Sequence, residues 1–262
     1  MAVAIIASVK GESLILSDGI IKITNEIRDS KYAGAKVVFL AGSIVRGEGT
    51  PTSDLDLVVV YERLPNAYRE SFYFGGFPVE AFVHDPETIS YFVTEREMRA
   101  GVCVLAQMIA EGLEIPEASE FSQALKRFAV AVIDAGPPQL KEEDRRRMRY
   151  HITNLIDDIR HPRSKTETTA TGTVLYNALA DCYLRTSDRW MAKDKSIPRK
   201  LKLADAEFCA RFCDAFESLF AAGRTEEVIA LAEEILAPAG GYLFETGRID
   251  APDDRKPLAG FE

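Results

Sequence analysis

The sequence predicts an α+β fold, with a small mixed-sheet core over residues 1–116 followed by an all-helical bundle over residues 117–262. Three observations carry this. Short β-branched runs flank a Gly-Ser bend at 42–43 and an Asp-x-Asp pair at 54–56. Two further apolar arms meet at Gly75-Gly76. Beyond about residue 86 the strand signals stop and the periodic segments repeat at helical spacing.

Taken in order, Leu16, Ile20, Ile23 and Ile27 recur every three or four positions, with Lys22, Glu26 and Asp29 between them, which predicts a helix over 12–33. Val37 to Ala41 forms a short run bounded by Gly42 and predicts a buried strand. Ile44–Gly47 is expected to form a helical turn inside the loop that follows, and Asp54–Tyr61 the second strand. Ser71–Phe74 and Phe77–Val83, joined by Gly75-Gly76, predict a hairpin, with Pro78 near the start of its strand or at a sheet edge. Asp85 ahead of Pro86 is a helix-capping signal. Helices are expected over 86–112, 119–135, 138–160, 167–190, 203–222 and 224–237, broken at Pro116, Pro137-Pro138, Pro162 and Pro238. The composition turns nearly all-helical around residue 116, which sets the expected domain boundary. The segment after Gly247 is expected to be poorly ordered.

Composition narrows the function. The 262 residues suffice for one large domain or two smaller ones, and 47% hydrophobic with 28% charged residues argues against a disordered chain. Against 41 Asp+Glu stand only 32 Lys+Arg, a formal net charge of −9. That balance argues against a long nucleic-acid contact, because neutralising phosphates needs a basic face. It leaves room for a small anionic ligand on a local basic patch. No apolar run approaches the roughly 20 residues that span a bilayer, so no membrane partner is expected. The opening residues MAVAIIASVKGES lack the basic start and cleavage pattern of a signal peptide. Cys103, Cys182, Cys209 and Cys213 form no C-x-x-C pair, and His84, His151 and His161 are scattered. Both facts argue for core thiols rather than a zinc site, and fit a reduced, cytoplasmic setting.

The chemistry concentrates between residues 40 and 83. Asp54 and Asp56 share one face of their strand, about 6–7 Å apart along the backbone, close enough to converge on shared cations. Gly42 allows the backbone to approach a phosphate, and Ser43 adds a hydroxyl and an oriented N–H at a strand-to-helix turn. Glu80 stands in the otherwise apolar run Phe77–Val83, where an ionised carboxylate is costly unless a cation accompanies it. Taken singly, each feature has an ordinary explanation: a solvated turn, a loop serine, an edge carboxylate. In this order, and on these elements, they are far more specific.

Gly42-Ser43, ten intervening residues, then Asp54-Leu55-Asp56-Leu57 resembles the signature of the nucleotidyltransferase superfamily related to DNA polymerase β. The string GSIVRGEGTPTSDLDLVVV is especially similar to small bacterial nucleotidyltransferases, including aminoglycoside-modifying ones. The resemblance covers roughly residues 36–84, and a helical second domain is compatible with that group. It implies a nucleoside triphosphate with its phosphates over Gly42-Ser43 and two Mg²⁺ ions held by Asp54 and Asp56. Glu80 matches the family's third carboxylate, as metal ligand or as acceptor base. It further implies transfer of a nucleoside monophosphate, AMP from ATP, to a hydroxyl-bearing acceptor, with pyrophosphate released. The acceptor is a small molecule, aminoglycoside-like, or alternatively a protein. The acidic charge counts against a tRNA end; a non-catalytic nucleotide-binding regulatory module stays a rival reading, against which the presence of all three carboxylates counts. No G-x-G-x-x-G or Walker-type loop follows a strand, which removes Rossmann and P-loop readings.

Secondary candidates are weaker. Trp190–Lys202 is a basic island in which Lys193, Lys195 or Lys200 could reach phosphate, or which could be a solvated loop. Trp190 fits core packing better than base stacking. Arg46 is placed equally between phosphate contact and an ion pair with Glu48. Asp157 and Asp158 could face a cationic acceptor, but a polar helix face paired with Arg160 is the better reading.

Overall fold

A computed structural model of the chain describes residues 16–245. The amino-terminal segment weighed as a signal peptide, the first residues of the helix expected over 12–33 and the segment after Gly247 lie outside the described residues. The chain divides into two compact units that part between Pro138 and Gln139.

In the first unit, α1 (Asp18–Lys31) precedes β1 (Val37–Ala41) and the one-turn helix α2 (Gly42–Val45). Then come β2 (Leu55–Val60), β3 (Tyr68–Phe74) and β4 (Phe77–His84). The sheet is mixed, in the order β3-β4-β2-β1-β5, where β5 is Leu113–Ile115. The central pair β2–β4 is parallel and the other pairs are antiparallel. All of β1 is buried, and all of β2 except Asp56, as expected for β-branched runs covered on both faces. The β3–β4 hairpin turns on Gly75 and Gly76, both at positive φ (57° and 90°), the conformation a two-residue turn of this hand requires.

The core on one side of the sheet gathers Ile20, Ile27, Leu40, Ile44, Leu57, Val59, Ala81 and Val83. Asp85 caps α3 (Pro86–Tyr91) as expected, its carboxylate accepting from the Thr88 N–H at 2.8 Å.

The expected helix over 86–112 is not continuous. A wide π-type turn (Phe92–Glu97) and α4 (Met98–Ala100) follow α3, Gly101 closes them at φ 67°, and α5 (Val104–Glu111) restarts. The Leu105 N–H at that new start donates to the Glu97 carboxylate at 2.7 Å. Helix α6 (Glu120–Ala135) belongs to the first unit rather than starting the second. It packs on α5, and its Gln123 and Lys126 reach Glu114 of β5 at 2.8 and 3.7 Å.

The second unit consists of α7 (Glu142–Arg160), α8 (Lys165–Thr186), α9 (Ile197–Ala204), α10 (Ala206–Ala222) and α11 (Glu226–Leu236), with short 3₁₀ turns. Its core is built from the expected apolar faces: Ile152, Ile156 and Ile159 of α7, and Phe208, Phe212, Phe216 and Leu219 of α10. Tyr176 meets Phe212 and Phe216 edge-on, at 4.9 Å between centroids in each case. No described helix is long and apolar enough to cross a membrane.

Candidate active site

Three carboxylates come together at one end of the sheet. Asp54 is the last residue before β2, Asp56 is its second residue, and Glu80 lies on β4. Because β2 and β4 run parallel, Asp56 and Glu80 are direct register partners, so adjacent central strands place both on one face. One ligand oxygen from each of Asp54, Asp56 and Glu80 lies within 4.8 Å of the others, and all three residues are half-buried. Three hard oxygen donors at this spacing fit a divalent ion of the Mg²⁺ or Mn²⁺ kind.

The Gly-Ser bend closes the site from the β1 side. Ala41, the last residue of β1, is the register partner of Asp56. Gly42 follows at φ 78°, and a Cβ built on it would fall 2.8 Å from Asp56 Cγ and closer still to its Oδ2. The Asp56 carboxylate therefore occupies the place where any other residue would put a side chain.

Beyond the bend, hydrogen bonds hold the loop. Ser43 Oγ donates to Ser53 Oγ at 3.2 Å, Ser53 Oγ accepts from the Thr50 N–H at 2.8 Å, and the Ser43 carbonyl accepts from the Glu48 N–H at 2.8 Å. Ser53 thus ties the two halves of the signature together, immediately before Asp54. Sequence reasoning did not single it out, because a serine in a loop carries no periodic signal.

Of the other candidates, Arg46 pairs with Glu48 at 2.9 Å and with Glu111 at 3.6 Å, which supports the ion-pair reading. Lys193, Lys195 and Lys200 belong to the second unit, at the 3₁₀ turn Asp194–Ser196 and on α9. The basic island ends in a helix, with Ile197 and Leu201 as its buried face, while Lys193 and Lys195 stand exposed ahead of it. Trp190 is buried, as core packing required. Asp157 pairs with Arg160 at 3.1 Å, and Arg160 also reaches Glu233 at 3.5 Å, so the polar-face reading of Asp157 holds. The four cysteines are free thiols, three of them buried, and Cys209 Sγ donates to the Pro198 carbonyl at 3.2 Å.

One residue at the site was missed. Arg69 of β3 bonds the Glu80 carboxylate and lies 5.1 Å from the Phe82 ring centroid. The signal was present: counting outward from the Gly-Gly turn pairs Phe74 with Phe77, Ser71 with Glu80 and Arg69 with Phe82.

Residues 20–148 match the family model of the nucleotidyltransferase domain. No curated protein matches the chain at a significant level. Among solved structures, the chain is similar to a nucleotidyltransferase-like protein from Exiguobacterium sibiricum 255-15, at 14% identity and a TM-score of 0.41, over 84% of this chain and 75% of that one. The matched span contains the Gly-Ser bend and all three clustered carboxylates, and residues 20–148 of this chain are thereby a nucleotidyltransferase domain.

Proposed function

We propose that this nucleotidyltransferase transfers a nucleoside monophosphate, AMP from ATP, to a hydroxyl group of a small-molecule acceptor, in a Mg²⁺-dependent reaction carried out in the cytoplasm. The observation that carries the reading is the convergence of Asp54, Asp56 and Glu80 within 4.8 Å beside the Gly-Ser bend. Their donor set suits Mg²⁺, and these three residues would hold it. When bound, the ions would neutralise the negative charge that spreads over the phosphoryl oxygens as the bond exchange proceeds.

The chain's own groups do the rest. Strand register sets Asp56 and Glu80 side by side on adjacent strands. Gly42 brings backbone, without a side chain, up to the Asp56 carboxylate. The Ser43 hydroxyl, held by Ser53, is set to donate to a phosphate oxygen instead. In the transfer, the acceptor oxygen forms a bond to the α-phosphorus while the bond from that phosphorus to the β-phosphate oxygen breaks. Pyrophosphate departs, and the hydroxyl proton passes to a base, for which Glu80 is the nearest candidate by chemistry.

The acceptor is written into no local spacing. A pyrophosphate-release screen with each of the four nucleotides, across aminoglycosides, other hydroxyl-bearing small molecules and protein acceptors, tests the reading. We expect release with ATP and a small-molecule acceptor. Release only with a protein acceptor would move the substrate class, and release that persists undiminished in chelator would remove the metal.

A further inference from the structure

Glu80 has two claimants. Whatever ion uses the triad, Arg69 already bonds Glu80 Oε1 through its guanidinium, which also rests against the Phe82 ring. The hairpin explains why. Directly opposed residues of an antiparallel pair project to the same face. Arg69 opposes Phe82 on β4, and Phe82 lies two residues along from Glu80 on that same face. The ring and the carboxylate together hold an arginine on an edge strand whose side chain is otherwise 60% exposed, against 22% for Glu80.

Two roles are open to such an arginine. It could place the carboxylate, as a hydrogen-bonding partner behind a metal ligand does, or it could compete for it. Placement is already supplied from the other side, since the register of β4 on β2 sets Glu80 opposite Asp56 whether or not Arg69 is present. What Arg69 alone adds is a positive charge bonded to one member of a three-carboxylate cluster. A divalent ion that draws on Glu80 must share its carboxylate with the guanidinium or displace it, and does so against a like charge.

Resting on the reading of the triad as an ion site, we propose that Arg69 is an internal competitor for Glu80. It weakens divalent-ion binding through the third carboxylate, leaving Asp54 and Asp56 as the stronger pair. Arg69 acts on the ion site through Glu80 and through its charge.

The test is a Mn²⁺ titration of the full chain without nucleotide, with free ion read by electron paramagnetic resonance. Arg69→Gln should bind Mn²⁺ about fivefold more tightly than the parent chain, the scale of one partly exposed ion pair. Arg69→Lys, which keeps the charge, should stay at the parent affinity, and in a Glu80→Gln background the effect of Arg69→Gln should shrink. Parent-like or weaker binding by Arg69→Gln, or equal tightening by Arg69→Lys, would overturn the competitor while leaving the ion site standing. Should the parent chain bind no more Mn²⁺ than Asp54→Asn, the ion site falls and the competitor with it.

Discussion

Gly42 and Asp56 divide one small volume between them. With φ at 78° and the Asp56 carboxylate where a Cβ would go, an alanine at 42 meets both backbone strain and a steric overlap with a side chain of the site. Gly42→Ala should cost about 1–3 kcal/mol in a urea titration, and activity should fall further than stability, because the displaced group is Asp56. The aspartates behave in the opposite way. Asn keeps the shape of Asp, so neutralising one of the clustered carboxylates leaves the packing around them in place. Asp54→Asn or Asp56→Asn should retain the melting temperature while lowering metal-dependent turnover by about a thousandfold, the scale of removing a key electrostatic group. Full turnover in either variant would remove the metal assignment. These side chains were legible in sequence because a strand's period of two is strict: once Asp54–Tyr61 is a strand, the direction of Asp56 follows. Glu80 was legible as a carboxylate out of place among apolar neighbours. Arg69 looked like any exposed arginine, and only the pairing across the hairpin reveals its partner.

At the scale of elements, sequence patterns worked where runs were long and failed where they were short. β1, β2, the Gly-Gly hairpin and the amphipathic faces of α7 and α10 all lie where the periodicity put them. β5 was missed because Leu113–Ile115 is too short to alternate, and it is a strand only because it pairs with β1. The break within 86–112 escaped for a related reason, since the Glu97 carboxylate that starts α5 acts from outside that helix. The expected boundary at 116 followed composition, whereas α6 stays with the first unit through Glu114. Asp85 shows what a local signal does well. Its carboxylate is buried, which by itself would raise its pKa, but the Thr88 and Leu64 N–H groups donate to it and hold it below the usual carboxylate range. A folded-state pKa below the unfolded one contributes stability that is present above the ordinary carboxylate range and lost as pH falls through the depressed value. Asp85→Ala should therefore cost about 1–2 kcal/mol near neutrality. The gap from the parent should close in strong acid, as followed by denaturant titrations across pH.

At the scale of the molecule, two separate hydrophobic cores divide the work. The triad stands entirely within the sheet-bearing unit, on β4, on β2 and at the residue just before β2. The helical unit carries a group poorly suited to neutral pH. Asp181 of α8 is half-buried, and desolvation pushes its carboxyl up to about 6, with Lys193 offsetting part of that burial. A carboxyl whose folded-state pKa lies above its unfolded value favours the fold fully below the unfolded value and loses that contribution as pH rises through the folded one. Asp181 thus penalises the helical unit progressively as pH rises from about 4 to about 6, and fully above that. Asp181→Asn removes the charge and keeps the shape, so it should stabilise this unit by about 2 kcal/mol near pH 7.5 and by little near pH 4. Because the chain has two cores, the measurement that reads the helical unit by itself is amide hydrogen exchange, corrected for the intrinsic rate at each pH. Protection should rise over α7, α8 and α10 at the higher pH and converge with the parent in acid, while β1, β2 and β4 stay unchanged throughout. A gain that persists undiminished at low pH would mean that packing, and not the buried charge, was responsible.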